Sequence, residues 1–401
     1  MHPGVRCACT LLLLPCLAVP LEALVSDAFV LDAPALHAQS SQSAAAKAAA
    51  PSAGRQSFPD SIRDFGAVVS QLSEPGGYFN TDNLISNEAS YLHVMGALDR
   101  LRIRDGVYIG VGPDQNFSYI ARIRPRAAFL IDIRRDNMLQ HLMFKALFDA
   151  SRNRAEYLAL LLGRPAPSAR LTQPTTSLDA IIAWLDTTAA TAASRQAATA
   201  SVRRNVRRYG VTLGEEDLAT IERFHRAFID DGLGLQFTTK GRAPQYYYPT
   251  LRQLLVERDA SGKLAGYLVR EADFQYLRSM QRRNLIVPVV GDLAGPRALR
   301  GIGNYARQRG EVISAIYVSN AEDYLLRGGS CANYPSSVGT LPRKPNSVMI
   351  RSFFGGPGSH PASIDDYYST QLLQRVDDFL VQAPAARFYR DVVMYKFLPL
   401  R

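Results

Sequence analysis

The sequence predicts an α/β protein whose mostly parallel sheet carries helices on both faces. Strand, glycine turn, helix, strand and acid follow one another from Gly106 to Asn137. Alternating strand and helix patterns return at Leu285 after a long, mainly helical stretch. Val312 to Val318 is continuously apolar, as expected of a strand covered on both sides.

The first unit also carries the candidate site. Val107 to Val111 is an apolar run broken by Gly110 and closed by Gly112. The polar turn Pro113-Asp114-Gln115-Asn116 comes next, then helical periodicity from Phe117 to Ile123. A second apolar run, Ala127 to Ile131, ends at Asp132. Glycines let backbone approach a ligand, a helix N-terminus favours its polar or anionic part, and the acid can accept from a ribose. Gly112 and Asp132 are 20 residues apart, the spacing of that division of labour. Gly110, Gly112, Asp114, Asn116 and Asp132 are therefore candidate cofactor-binding residues. A helix cap, or a salt bridge to Arg134 or Arg135, is the competing role for Asp132.

The 401 residues leave room for two domains, or for one large domain with an insertion. At 47% apolar residues a sizeable core is expected and global disorder is not. The formal charge of +10 comes almost wholly from arginines spread among acids, so no clear nucleic-acid site emerges. The dense cluster from Arg203 to Arg208 reads first as a solvated helix face and second as an anion-attracting patch.

Arg6, an apolar run from Cys7 to Val25 and Ala38 before a polar stretch read as a secretory signal, 1–38. Cleavage after Ala28 is a second option, and a mis-assigned start would leave the protein cytoplasmic. The run is too short and broken for a membrane span, so no transmembrane helix is expected in the mature chain. Cys7, Cys9 and Cys16 precede the cut, which leaves Cys331 as a lone thiol and no internal disulfide. A flexible linker of Ala, Ser and Gln follows, 39–60.

Residues 61–164 form the first part of the α/β domain. Its further helices are expected over Ser86 to Arg102, after a cap at Asp136, and over Arg154 to Leu162 with Gly163 as the stop. Residues 165–284 read as a mainly helical insertion, a lid or substrate wall. Ser177 to Leu185 and Ala272 to Arg283 are helical, Thr212 to Glu215 has capping-box spacing, and Thr187 to Ser201 is featureless. Leu251 to Glu257 and Leu264 to Val269, around Asp259-Ala260-Ser261-Gly262, read as a β-hairpin. Tyr246-Tyr247-Tyr248 offer rings for stacking on a ligand or for simple packing.

Residues 285–401 return to α/β. Pro288 cannot donate to a ladder, so Leu285 to Val290 should be an edge strand. A helix is expected between Pro296 and Gly310, and a strand over Ser347 to Phe354. Tyr367 to Leu380 is amphipathic and reads as a helix, with Val392 to Leu398 as a last strand.

This order of parts resembles the S-adenosylmethionine-dependent methyltransferase superfamily with its Rossmann-like sheet. Gly110-Val111-Gly112 resembles its glycine loop, and Asp132 falls at its ribose-binding acid. Gly291-Asp292 falls where an acidic turn meets the adenine, and Ser319-Asn320 follows the fourth strand, where substrate-side residues project. The resemblance adds Asp292 and Asn320 to the cofactor-binding residues and implies an outer third strand. It covers roughly 90–164 and 285–401. Three departures stand out. Tyr108 replaces the expected acid before the first glycine, the insertion is long, and one strand follows the last helix where two are usual. The wording of Leu285 to Leu325 also resembles a bacterial family with no established activity.

A dinucleotide site would want a third glycine where Gln115 stands, and the scattered histidines offer no metal-ligand spacing. Cys331 and His360 lie in glycine-rich loops with nothing to bring them together, and Ser319 and Glu322 fit a capping box. Two functions follow. One is methyl transfer from S-adenosylmethionine to an unknown acceptor, which rests on alignment more than on catalytic side chains. The other is a periplasmic or secreted protein that binds a small molecule on the same scaffold without methylating.

Overall fold

The computed structural model describes residues 58–327 and 333–401. The expected signal peptide, nearly all of the linker, and Cys331 lie outside those residues. One six-stranded sheet organises the chain: β1 (Val107–Gly110), β2 (Ala127–Asp132), β3 (Ile286–Val290), β4 (Ile313–Ser319), β5 (Arg343–Phe354) and β6 (Ser369–Arg375), in the order β3-β2-β1-β4-β5-β6. The first five strands run parallel, and β6 is antiparallel to β5.

Every residue of β1 and β3 is buried, and so are all but the last of β2 and β4. Successive side chains point to opposite faces, so both faces are covered. Helices Gln115–Ile123 and Arg135–Ala150 pack on β1, β2 and β3, with Glu271–Arg282 against both. A second group, Phe65–Leu72, Ala298–Gln308, Asn333–Gly339 and Val376–Gln382, packs one helix against the next and reaches β3, β2, β5 and β6.

β3 lies at the edge, and Pro288 fits there for a traceable reason. The Val290 N–H bonds Ser73 Oγ at 3.0 Å, on the side away from β2. Two residues earlier the backbone faces the same way, so the N–H that Pro288 lacks would have pointed outward.

Several local expectations fail, each for a physical reason. Leu251–Leu255 is a short helix, not a hairpin strand; only a single bridge, Arg258 to Leu264, forms around the Asp259–Gly262 turn. That turn satisfies itself, because Asp259 Oδ1 accepts from the N–H groups of Ser261 at 2.8 Å and Lys263 at 3.0 Å. Thr187 to Ser201, expected to be featureless, lies largely in Ala192–Val206, a helix capped by Thr191 and Ser194. Its alanines supply propensity, and its buried Ala198, Val202 and Val206 supply the contact face. Arg203 and Arg207 pair with Glu215, and Arg203 also with Glu222, so the basic cluster is a solvated, ion-paired helix end.

Ser369–Arg375 is strand, not the start of a helix. Its buried polar side chains are paired: Gln371 with Ser352 at 2.8 Å and Tyr119 at 3.1 Å, and Ser369 with Ser90 at 2.8 Å. Paired polar groups interrupt the apolar alternation by which a strand is usually recognised. Tyr389–Val393 is helical, and the expected last strand reduces to a bridge between Phe397 and Gln374.

Candidate functional site

The sheet order turns back between β1 and β4, and a crevice opens at the carboxyl ends of the strands there. A cavity of about 220 Å³ occupies it, walled by the ends of β1, β2, β3 and β4 and by the segment from Phe79 to Asn87. Four of the sequence-selected residues line it: Gly112, Asp132, Asp292 and Asn320. Gly110, Asp114 and Asn116 do not.

The β1 turn is built by Asn116 from beneath. Its Nδ2 donates to the carbonyls of Val111 at 2.8 Å, Gly112 at 3.2 Å and Pro113 at 2.7 Å, and its Oδ1 accepts from the Tyr108 hydroxyl at 2.8 Å. A Cβ on Gly110 would fall 1.8 Å from that Oδ1, so the first glycine makes room for Asn116, not for a ligand. Gly112 has φ +79°, a left-handed conformation that favours glycine. His141 Nε2 lies 2.9 Å from the Gly112 carbonyl, which only accepts, so the ring donates from Nε2. Burial pushes His141 down to about 4, leaving it neutral. Asp114 faces another way and accepts from the Tyr267 hydroxyl at 3.1 Å; burial raises it to about 6.

Asp132 closes the end of β2, and Arg134 holds it. The guanidinium donates to Oδ1 at 3.0 Å and Oδ2 at 2.8 Å, and the Arg134 backbone N–H adds a bond to Oδ1 at 2.9 Å. Arg134 Nη1 also donates to the carbonyls of Thr81 at 3.0 Å and Asp82 at 2.8 Å, fastening the Phe79–Asn87 wall. Asp292 accepts the Ala294 N–H at 2.9 Å through one oxygen.

The β4 side differs in chemistry. Ser319 has φ +55°, a strained conformation for a serine. Its hydroxyl donates to Glu88, whose other oxygen accepts from Tyr317 at 2.9 Å. Tyr317 in turn accepts from Gln115 Nε2 at 3.2 Å, while Gln115 Oε1 is buried without a partner. Glu88 is 0% exposed, and burial raises its pKa despite the hydroxyls of Ser319, Ser352 and Tyr317. It is the main feature that reading the sequence missed. The only signal was an acid beside Asn87 at the start of an otherwise apolar segment, ordinarily a helix-end residue. Burial, and after it the nearby Glu88, raises the pKa of Tyr108, the residue standing where the methyltransferase resemblance expects an acid. At the mouth, Phe79 and Tyr324 meet edge to face with centroids 4.9 Å apart.

The remaining sequence-selected groups are structural. Glu322 and Ser319 form no capping box: Glu322 pairs with Arg351, and Ser319 serves Glu88. His360 uses both ring nitrogens on the backbone, at Val393 (3.1 Å) and Ala362 (3.0 Å), which removes it as a base. Tyr247 stacks on Tyr368 with centroids 3.7 Å apart, so one of its faces is taken by packing. Among the described residues no His, Cys, Asp and Glu cluster could hold a metal ion, and no helix is long and apolar enough to cross a membrane.

No curated protein matches this chain. A family model matches residues 84–177 and 234–398, passing over the helices Leu178–Thr187, Ala192–Val206 and Glu215–Asp231. It spans all six strands and every residue that lines the cavity except Phe79 and Asn83, and the chain belongs to that family, described as a domain of unknown function, DUF7790.

Proposed function

We propose that the cavity binds an adenosine compound in a Rossmann-like, methyltransferase-like fold, S-adenosylmethionine first, for methyl transfer to an acceptor that the sequence does not identify. One observation carries the reading. Gly112, Asp132, Asp292 and Asn320, drawn from four strand ends, surround one cavity whose only cation among the described lining residues, Arg134, is already ion-paired. A phosphate-bearing dinucleotide would want free positive charge there, whereas an uncharged nucleoside with a sulfonium tail does not. The outer position of β3 agrees with the superfamily's strand order.

Asp132 keeps capacity for a ribose. Two carboxylate oxygens offer about four acceptor positions, and Arg134 occupies three of them. Methyl transfer then requires the donor carbon and the acceptor nucleophile to be held in line. The Phe79–Tyr324 pair at the mouth marks the acceptor's approach. Calorimetric titration of the wild type and Asp132→Ala with the donor and its demethylated product tests this. The substitution should weaken binding roughly ten- to a hundredfold. No binding by the wild type would sink the adenosine reading, and equal binding by both would remove Asp132 from the site.

A second reading, an exported binding protein that does not methylate, is favoured by the signal-like N-terminus, because the donor is a cytosolic metabolite. The N-terminal residue of protein isolated from its native cell separates the two. A mature start near Gln39 supports export, and Met1 on protein from the cytosol excludes it.

A further inference from the structure

Beneath the β4 side of the cavity lies a carboxyl group that no cation among the described residues neutralises. Glu88 is wholly buried and touches the cavity through one hydrogen bond to Ser319, which lines it. A second route runs from Glu88 through the Tyr317 hydroxyl to Gln115, also a lining residue. The groups that face Glu88 are Tyr317 and Ser319 of β4, Ser352 of β5, Tyr108 of β1, Tyr119 of helix Gln115–Ile123 and Tyr389 of helix Tyr389–Val393. None is cationic, and burial keeps the four phenols neutral.

We propose that Glu88 is the charge complement of the cavity, selecting a cationic ligand over its neutral counterpart and giving up its proton as the cation binds. The inference rests on the reading of the cavity as a ligand site, and it names the ligand's class: a sulfonium or ammonium monocation. An isolated charge in a dry interior is costly, so burial raises the carboxyl's pKa and the empty cavity favours its protonated form. A positive ligand one hydroxyl away supplies the missing partner. The proton passes to solvent and the pair is neutral overall. Gln115 Oε1, buried and unpaired, offers a ligand N–H a second contact. Phe79 and Tyr324 add aromatic rings at the mouth, and such faces attract cations. When the methyl passes to the acceptor and leaves a neutral thioether, Glu88 takes up a proton from solvent, which favours exchange of product for fresh donor.

The test is calorimetry on the full chain in two buffers of different ionisation enthalpy, over about pH 5 to 8. S-adenosylmethionine should bind with proton release and its demethylated product without it. Affinity for the donor should rise with pH through the titration of Glu88 and then level off. In Glu88→Gln the release should vanish and the preference for donor over product should fall roughly tenfold. Donor binding without proton release anywhere in that range overturns the proposal, even if the variant fails to fold. Release that persists in a folded Glu88→Gln overturns it as well. If neither adenosyl compound binds, the adenosine reading falls. Thermal shift with trimethylsulfonium against tert-butanol then decides the charge inference: stabilisation by the cation alone upholds it, and no stabilisation overturns it.

Discussion

Glu88 and Glu322 are both buried beside the end of β4, yet Glu322 meets the Arg351 guanidinium through both oxygens, whereas Glu88 meets only hydroxyls. Arg351 is itself fastened to Gln374 at 2.7 Å. The Glu322 region is thus closed: two charges cancel in a dry interior, and their remaining hydrogen-bonding capacity goes to neighbours. The Glu88 region is open in the electrostatic sense, because its acid has donors but no counter-charge. A buried ion pair of the first kind belongs to the architecture. A lone carboxyl one hydrogen bond from a cavity is what the proposed cationic ligand would pair with.

The sharpest way to break this contrast is to remove the counter-charge where it exists. Arg351→Met leaves Glu322 buried and unpaired and should cost about 3–5 kcal/mol, read by chemical denaturation. A loss below about 1 kcal/mol would mean that the pair is solvated in solution and that the two regions do not differ.

Next in size is Tyr317→Phe, which deletes the hydroxyl between Gln115 and Glu88. It should destabilise by about 1–3 kcal/mol, because buried groups on both sides lose a partner. If stability is unchanged, water replaces the hydroxyl and the chain to the cavity is not obligatory.

The smallest expected effect is that of Glu88→Gln at acidic pH, within about 1 kcal/mol while the carboxyl is protonated, since the shape is kept. The difference changes with pH. The folded carboxyl titrates above the ordinary 4.5, so the native state holds its proton more tightly than the unfolded chain does. Stability from this group is therefore full below about 4.5 and is lost as pH rises through the raised value. The difference between Glu88→Gln and wild type should accordingly move in the variant's favour as pH rises through that window. Parallel denaturation curves at pH 4 and pH 8 would check it, and a difference that stays flat would mean that Glu88 is not desolvated.

The sheet was readable because its strands are apolar on both faces and end in residues of distinct chemistry. Val107–Val111, Ala127–Ile131 and Val312–Val318 announce buried strands, and Pro288 announces an edge. Gly112 and Asp132 sit at strand ends, so finding the strands was enough to find them, whereas Asp292 and Asn320 came only from the resemblance. The roles of their neighbours were not readable. Gly110 and Asn116 look like parts of a ligand loop, but Asn116 turns inward and knots the loop together. β6 hides because its buried Gln371 is satisfied by Ser352 on β5 and its Ser369 by Ser90 outside the sheet, and a one-dimensional pattern records polarity without recording pairing.

Glu88 is the extreme case. Its partner Tyr317 lies 229 residues away, and no local rule marks either as the other's neighbour. Periodicity reports the average environment of an element, because every turn of helix or pair of strand residues repeats it. The charge balance of one cavity depends on a few side chains brought together by topology alone. The chain's composition and spacing are enough to specify strands, turns and the acid at the end of β2. That Arg134 neutralises this acid, and that no cation among the described residues neutralises Glu88, is settled by how the folded elements meet in space.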